Sequence, residues 1–391
     1  MAELHFDCRD IFRVGRYGFD IKKILVHLFG LIFGYLIYEL LVYASLFIVG
    51  GSAVKQFWDT YAFLPVCPLV DYAFEDITIG AMWLGTFVLF VLFFLTSTMV
   101  SKITIEQLRG DHFFSMKASW GFVQNRWKSV FGTLVGLVAI LVILALIPTF
   151  VGLLGKIPTV GRFILMFASV LTPFAFFLGL LIVYLLVGLG VSLFFAPSVV
   201  AAADSDAFET AYQHLAMLWN QSWRVLIYEA LLFGVKVICT PIWIIFCLIG
   251  FALAMLPIHL LIPTDIQHIM WQADRWLGGS ITKLAALPYM EYFKVFDIGS
   301  EPANLPITLT IAAIFMTFSL LFITGLVIAY LFSIASSGNT LIYTILRRRV
   351  DGANLLEVED EAEVSEPVAP EAPSSEDTSN PDTAGTEEKV E

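Results

Sequence analysis

Three ionisable residues, Glu39, Glu229 and Lys236, fall inside strongly apolar stretches of this 391-residue chain. A lone charge at the centre of a membrane helix costs at least about 2.5 kcal/mol, so residues of this kind call for a partner, a water-filled space or a functional role. Depth follows from a rise of about 1.5 Å per helical residue. It puts Lys236 near mid-span, Glu39 slightly beyond, and Glu229 nearer the cytoplasmic surface. Glu229 and Lys236 are seven positions apart and share a helical face, and Glu39 falls within plausible reach of the long lysine stem. The three are expected to form a polar site or ion path between the first and fifth spans, or a structural pair that locks those helices together.

The other reactive side chains are less suggestive. His5, His27, His112, His214, His259 and His268 form no HExxH motif and no i, i+4 pair, and are expected at interfaces or surfaces. Cys8, Cys67, Cys239 and Cys247 have neither zinc-ligand spacing nor a disulfide framework. No GxSxG stands in the chain, no glycine-rich phosphate loop is present, and Ser333, Ser336 and Ser337 read as small packing residues near a helix end. No catalytic residue, cofactor or metal site is expected. Arg347, Arg348 and Arg349 are candidate contacts for anionic lipid headgroups, or a stop-transfer cluster.

The elements that would position these residues are membrane helices. At 58% apolar and 14% charged, the chain has more hydrophobic sequence than a soluble domain could cover. About twenty apolar residues span a bilayer. Six stretches qualify, near 23–48, 78–100, 129–154, 170–196, 224–256 and 305–336. Pro241, near the middle of the fifth, is expected to kink or tilt it. Lys and Arg gather before the first span (Arg9, Arg13, Arg16, Lys22, Lys23), between the second and third (Lys102, Arg109, Lys117, Arg126, Lys128) and after the sixth, which predicts cytoplasmic termini. Residues 1–22 then form a cytoplasmic lead-in.

Apolar residues at helical spacing also predict amphipathic helices in two connections. One carries Phe208, Ala211, Tyr212, Leu215, Leu218 and Trp219 over 205–221, opposite Asp206, Glu209, Gln213, His214 and Asn220; the other carries Phe113, Met116, Trp120, Val123 and Trp127. Their parallel, with an echo at Tyr17-Gly18-Phe19, reads as one unit used three times: a cytoplasmic amphipathic helix and then a membrane hairpin. Gly30/Gly34 and Gly132/Gly136 are GxxxG pairs that permit close helix approach. On the outer side, 49–77 reads as an aromatic interfacial cap, and Thr264 and Gln267 suggest a capping box on a surface helix striped by Ile266, Ile269, Met270, Ala273 and Leu277. Residues 357–391 hold thirteen acidic residues against Lys389, which supplies the whole net charge of −12. That acidic tail has almost nothing to bury, reads as disordered, and could meet a basic protein partner.

Two runs resemble a known prokaryotic group. Phe194-Phe195-Ala196-Pro197, Asp204 to Ala211, Trp219 and Trp223-Arg224-Val225-Leu226 are similar to a pattern in the membrane domain found beside some glycerophosphodiester phosphodiesterases and in related multi-span families. The exit of the sixth span, Leu341 to Arg347 with Asp351-Gly352 and Leu355, resembles their closing motif. The resemblance implies a stand-alone helical membrane domain of a bacterial or archaeal plasma membrane and carries over no catalytic residue, since no soluble segment is long enough for the phosphodiesterase barrel. The expected protein is therefore all-α, with six spans in three hairpins joined by cytoplasmic amphipathic helices. It is expected to be a non-enzymatic domain that organises membrane lipid or a partner and binds no nucleic acid; the alternative is a transporter or channel built on Glu39, Glu229 and Lys236.

Overall fold

The computed structural model describes residues 4–66, 74–279, 305–352 and 354–357. Among them are eleven helices and no strand: α1 (Cys8–Phe12), α2 (Val14–Gly18), α3 (Ile21–Val49), α4 (Gly51–Thr60), α5 (Asp76–Arg109), α6 (Met116–Gly155), α7 (Val160–Val170), α8 (Thr172–Ala203), α9 (Ala207–Leu261), α10 (Pro263–Trp276) and α11 (Ile307–Asp351). Six of them, α3, α5, α6, α8, α9 and α11, are long and apolar enough to cross a membrane, so the chain is a multi-pass membrane protein. Cys67, Pro68, Tyr72, residues 280–304 and the acidic tail beyond Glu357 lie outside the described residues.

Each expected span corresponds to one of the six helices, but the helices run further. α5 has 34 residues, α6 40, α9 55 and α11 45. The sequence window closes early because Ser and Thr lower its hydropathy. Those hydroxyls do not end the helix, since they bond back to its own carbonyls: Thr98 to Phe94, Thr104 to Val100, Thr340 to Ser336 and Thr344 to Thr340. Real ends fall at capping signals. Asp20 accepts from the Lys22 N–H, Ser115 from Ala118 and Asp206 from Glu209, while α5 stops at Gly110, whose φ is 109°.

One end of the bundle, the terminal end, brings Phe6 to the exit of α11, where Arg349 donates to the Phe6 carbonyl at 2.9 and 3.2 Å. At the other, the Phe63 N–H donates to the Trp276 carbonyl at 3.4 Å, and the rings of Trp58, Phe63, Trp276 and Phe318 meet. The largest core cluster lies toward the terminal end and joins Ile11, Leu28, Ile105, Phe195, Leu232, Ile334 and Leu346. Towards the far end, α6, α7, α8 and α9 turn long apolar faces outward, with Phe150, Phe167, Phe174, Phe177 and Leu253 all exposed. Surface this apolar requires lipid around it.

Several expectations are corrected. The two amphipathic stretches differ: the first runs into its span without interruption as the start of α6, whereas the second, at the start of α9, is set off from its span by a break at Gln221. Gln221 has non-helical torsions (φ −140°, ψ 31°), so the recorded break in α9 falls where the amphipathic stretch meets the span and not at Pro241. The described part of the lead-in, from residue 4, packs on the bundle. Ile11 and Val14 are fully buried, and α1 and α2 pack on α9 and α11 so closely that a Cβ at Gly15 would stand 3.0 Å from the Cys239 sulfur. Gly30 and Gly34 do allow α3 to close on α5, since added Cβ atoms would lie 2.5 Å from Thr96 Cγ2 and 2.6 Å from Leu89 Cδ2; Gly136 meets nothing within 4 Å. α10 starts at Pro263 with no side-chain cap, so Thr264 forms no capping box, although Ile269, Met270, Ala273 and Leu277 are buried as a stripe. α4 and α7 occupy connections where no helix was expected.

Candidate functional site: a chamber between four helices

Four helices each contribute one face to a cavity of about 700 Å³. The contributing positions recur every three or four residues: Phe90, Phe93, Phe94 and Ser97 on α5; Leu193, Phe194, Pro197 and Ser198 on α8; Phe233, Lys236, Val237, Thr240 and Pro241 on α9; Leu331, Phe332, Ala335, Ser336 and Asn339 on α11. Phe194, Phe233 and Val237 are also exposed, so the rim is apolar and faces the surroundings of the bundle. Among the lining residues Lys236 is the one charge. Three buried polar atoms in the lining have no hydrogen-bond partner: Ser97 Oγ, Thr240 Oγ1 and Asn339 Oδ1. Asn339 uses its amide nitrogen on the Phe194 carbonyl at 2.8 Å, which fixes the oxygen as the orphan. Pro197 and Pro241 have no N–H for the carbonyls four residues earlier, those of Leu193 and Val237.

Behind the chamber runs a seam of buried polar side chains. His27 is 1% exposed and bonds on both ring nitrogens, Nδ1 with Thr96 Oγ1 at 3.1 Å and Nε2 with Ser336 Oγ at 3.2 Å. The Thr96 hydroxyl already donates to Leu92 O and Phe93 O, so Nδ1 carries the proton and Ser336 donates to Nε2. Lys23, fully buried, donates to the Tyr17 carbonyl at 3.0 Å and to Ser337 Oγ at 3.4 Å. Ser337 meets Thr104, and Ser198 meets both Ser101 and Thr340. Ser336 and Ser198 thus belong to both the chamber floor and the seam, which ties α3, α5, α8 and α11 into one frame.

Of the three intramembrane charges, one lines the chamber. Lys236 faces the chamber. Glu229, two turns along α9, interacts electrostatically with Lys236 without lining the cavity. Glu39 lies on α3 beside Tyr35 and Tyr43, neither of its carboxylate oxygens has a hydrogen-bond partner, and α3 packs on α5 and α11, with no comparable contact to α9. The arginine triplet divides as well. Arg349 pairs with Asp7 and holds the Phe6 carbonyl, and the Arg348 guanidinium stands 3.8 Å from the Phe6 ring centre. Arg347 lines a smaller cavity of about 360 Å³ with Tyr212, Gln213 and Asn220. Two of the three arginines therefore secure the N-terminal segment.

Sequence reasoning missed the seam. Lys23 was counted as a solvated charge and His27 and His214 as surface groups, yet all three are buried, His214 against Ser192 at 3.1 Å. The available signal was Lys23 and His27 one turn apart at the start of a span, in a chain whose fifth and eleventh helices both carry Ser/Thr-rich turns, at 96–104 and 333–344. The start of α9 is inside-out as well: Thr210, Gln213, His214 and Met217 are buried, while Phe208, Tyr212 and Trp219 are exposed. Comparison with protein-family models, curated proteins and solved structures returns no match.

Proposed function

We propose that this chain is a non-enzymatic, lipid-interacting membrane domain, whose chamber between α5, α8, α9 and α11 receives acyl chain from the surrounding bilayer. The observation that carries the reading is the combination of phenylalanine walls with an exposed apolar rim; a cavity open to water would be expected to present polar edges. The exposed aromatic residues Trp120, Trp127, Trp219 and Trp223, with Lys128 and Arg224 over two of those rings, supply interfacial anchors beside it. In this reading the terminal end faces the cytoplasm of a prokaryotic cell, as the Lys/Arg distribution favours, the three helix pairs act as repeated hairpins, and the acidic tail is available to a basic protein partner.

The test is direct. The protein is extracted in mild detergent and its retained lipid is identified by mass spectrometry, alongside Ala335→Trp, which fills the chamber. Loss of lipid from a folded Ala335→Trp protein supports the reading, and equal retention sinks it. Transport remains the second reading because Lys236 stands in an open cavity. It would rest on Lys236 with Glu229, without Glu39, and would show as solute flux into vesicles that Lys236→Met abolishes.

A further inference from the structure

We infer that the chamber selects an acidic membrane lipid whose headgroup carries a free hydroxyl, a phosphoglycerol head being the simplest example. This rests on the lipid reading above and specifies its ligand. Three observations carry it. The lining contains one cation and no carboxylate; Glu229, which interacts with Lys236, stands outside it, so the lining itself offers an anion a positive charge and no like-charged group. Its unpartnered polar atoms are of both kinds: the Ser97 and Thr240 hydroxyls can donate to phosphate oxygens, whereas Asn339 Oδ1 can only accept. A choline head has no hydrogen to offer that oxygen, and a glycerol head does.

The third observation is depth. Ser97 precedes Lys102 by five residues on α5, and His27, bonded to the chamber's Ser336, follows Lys22 by five on α3. Lys22 in turn reaches the His112 carbonyl in the exposed α5–α6 loop, at 3.2 Å. Five helical residues rise about 7.5 Å, which puts the polar floor about one headgroup layer below Lys22 and Lys102, both partly exposed and Lys102 paired with Glu106 at 2.8 Å. On α9, Cys239, three residues beyond Lys236, faces Gly15 of the lead-in, where an added Cβ would stand 3.0 Å from the Cys239 sulfur, so Lys236 lies shallower than a count along the span places it. A lipid can therefore keep its phosphate near Lys236 and its glycerol hydroxyls near Asn339, with its chains along the phenylalanine walls, without leaving its leaflet.

The assay uses the full chain in phosphatidylcholine vesicles, with spin-labelled lipids bearing phosphocholine, phosphoglycerol or phosphate monoester heads. The wild-type protein should immobilise the phosphoglycerol lipid about five- to tenfold more strongly than the phosphocholine lipid, the scale of one cation at a membrane surface. Lys236→Gln should bring that ratio to about one while leaving phosphocholine lipid bound, and Lys236→Arg should restore it, so a folding defect is separable from lost recognition. Asn339→Leu should erase the advantage of phosphoglycerol over the phosphate monoester and keep the preference for charge. Equal immobilisation of all three lipids by the wild-type protein, with Ala335→Trp still displacing them, would overturn the inference and leave the lipid chamber standing. If Ala335→Trp displaces none of them, the chamber is not the lipid site and both readings fall.

Discussion

Replacing His27 by leucine tests whether the buried seam holds the bundle together. Leucine fills a similar volume but forfeits both ring bonds, to Thr96 at 3.1 Å and to Ser336 at 3.2 Å. A neutral hydrogen bond contributes about 1 kcal/mol net, and stranding a buried partner costs about 1–3 kcal/mol. The two sides are unequal. Thr96 keeps its bonds to Leu92 O and Phe93 O, whereas no hydrogen bond of the Ser336 hydroxyl other than that to His27 is recorded among the described residues. The expected loss is therefore about 2–4 kcal/mol, mostly on the Ser336 side. Measured as apparent melting temperature in detergent by fluorescence-detected gel filtration, His27→Leu should melt several degrees below the parent. Ser336→Ala should melt lower by less, and the double variant should fall short of the sum, by a coupling of about 0.5–3 kcal/mol. Melting of His27→Leu within a degree of the parent, or strict additivity, would refute the assignment. Nitrogen NMR offers an independent check: the ring should be the neutral tautomer with Nε2 unprotonated.

Other outcomes follow from the same contacts. Gly30→Val should separate α3 from α5 and cost about 1–3 kcal/mol by overpacking against Thr96, whereas Gly136→Val, with open space around it, should leave melting unchanged. Arg349→Ala should loosen residues 4–8, read as faster limited proteolysis at Arg9, with little change in melting, because the Asp7 partner is half exposed while Ile11 and Val14 stay in the core. A chain ending at Glu357 should melt as the full chain does, but one ending at Asp351 should be weaker, since Leu356 is 3% exposed in the main core and Arg109 donates to the Leu355 carbonyl at 3.1 Å.

The number of long apolar helices was legible in the sequence because twenty-residue hydropathy is a local property. Their true lengths were not, since Thr98, Thr104 and Thr340 lower hydropathy but satisfy their hydroxyls within the helix. The chamber was legible only through Lys236. Its partners Ser97, Ser198 and Asn339 come from three other helices, and no spacing along the chain says that these meet. Charge counting also mis-sorted Lys23, because the rule assumes a solvated cation and the fold gives this one a carbonyl and a hydroxyl instead. Glu39 stands outside the chamber lining for a related reason: depth can be counted from sequence, but which helices are neighbours cannot. The periodicity at 205–221 was real, yet it could not say which face looks inward, and it is the polar one that packs on the bundle.

The seam has a consequence for how the protein is made. Lys23 and His27 emerge first from the ribosome, while Ser336 and Ser337, which receive them, emerge more than three hundred residues later. α6 and α8, whose outer faces meet mainly lipid, can enter the bilayer as each is synthesised. α3 cannot reach its final state until α11 arrives, so closure of the bundle is a late, chain-spanning event. A nascent chain interrupted before α11 would present an unanswered lysine and histidine at the bilayer edge, a mark by which membrane quality control could separate unfinished copies from finished ones.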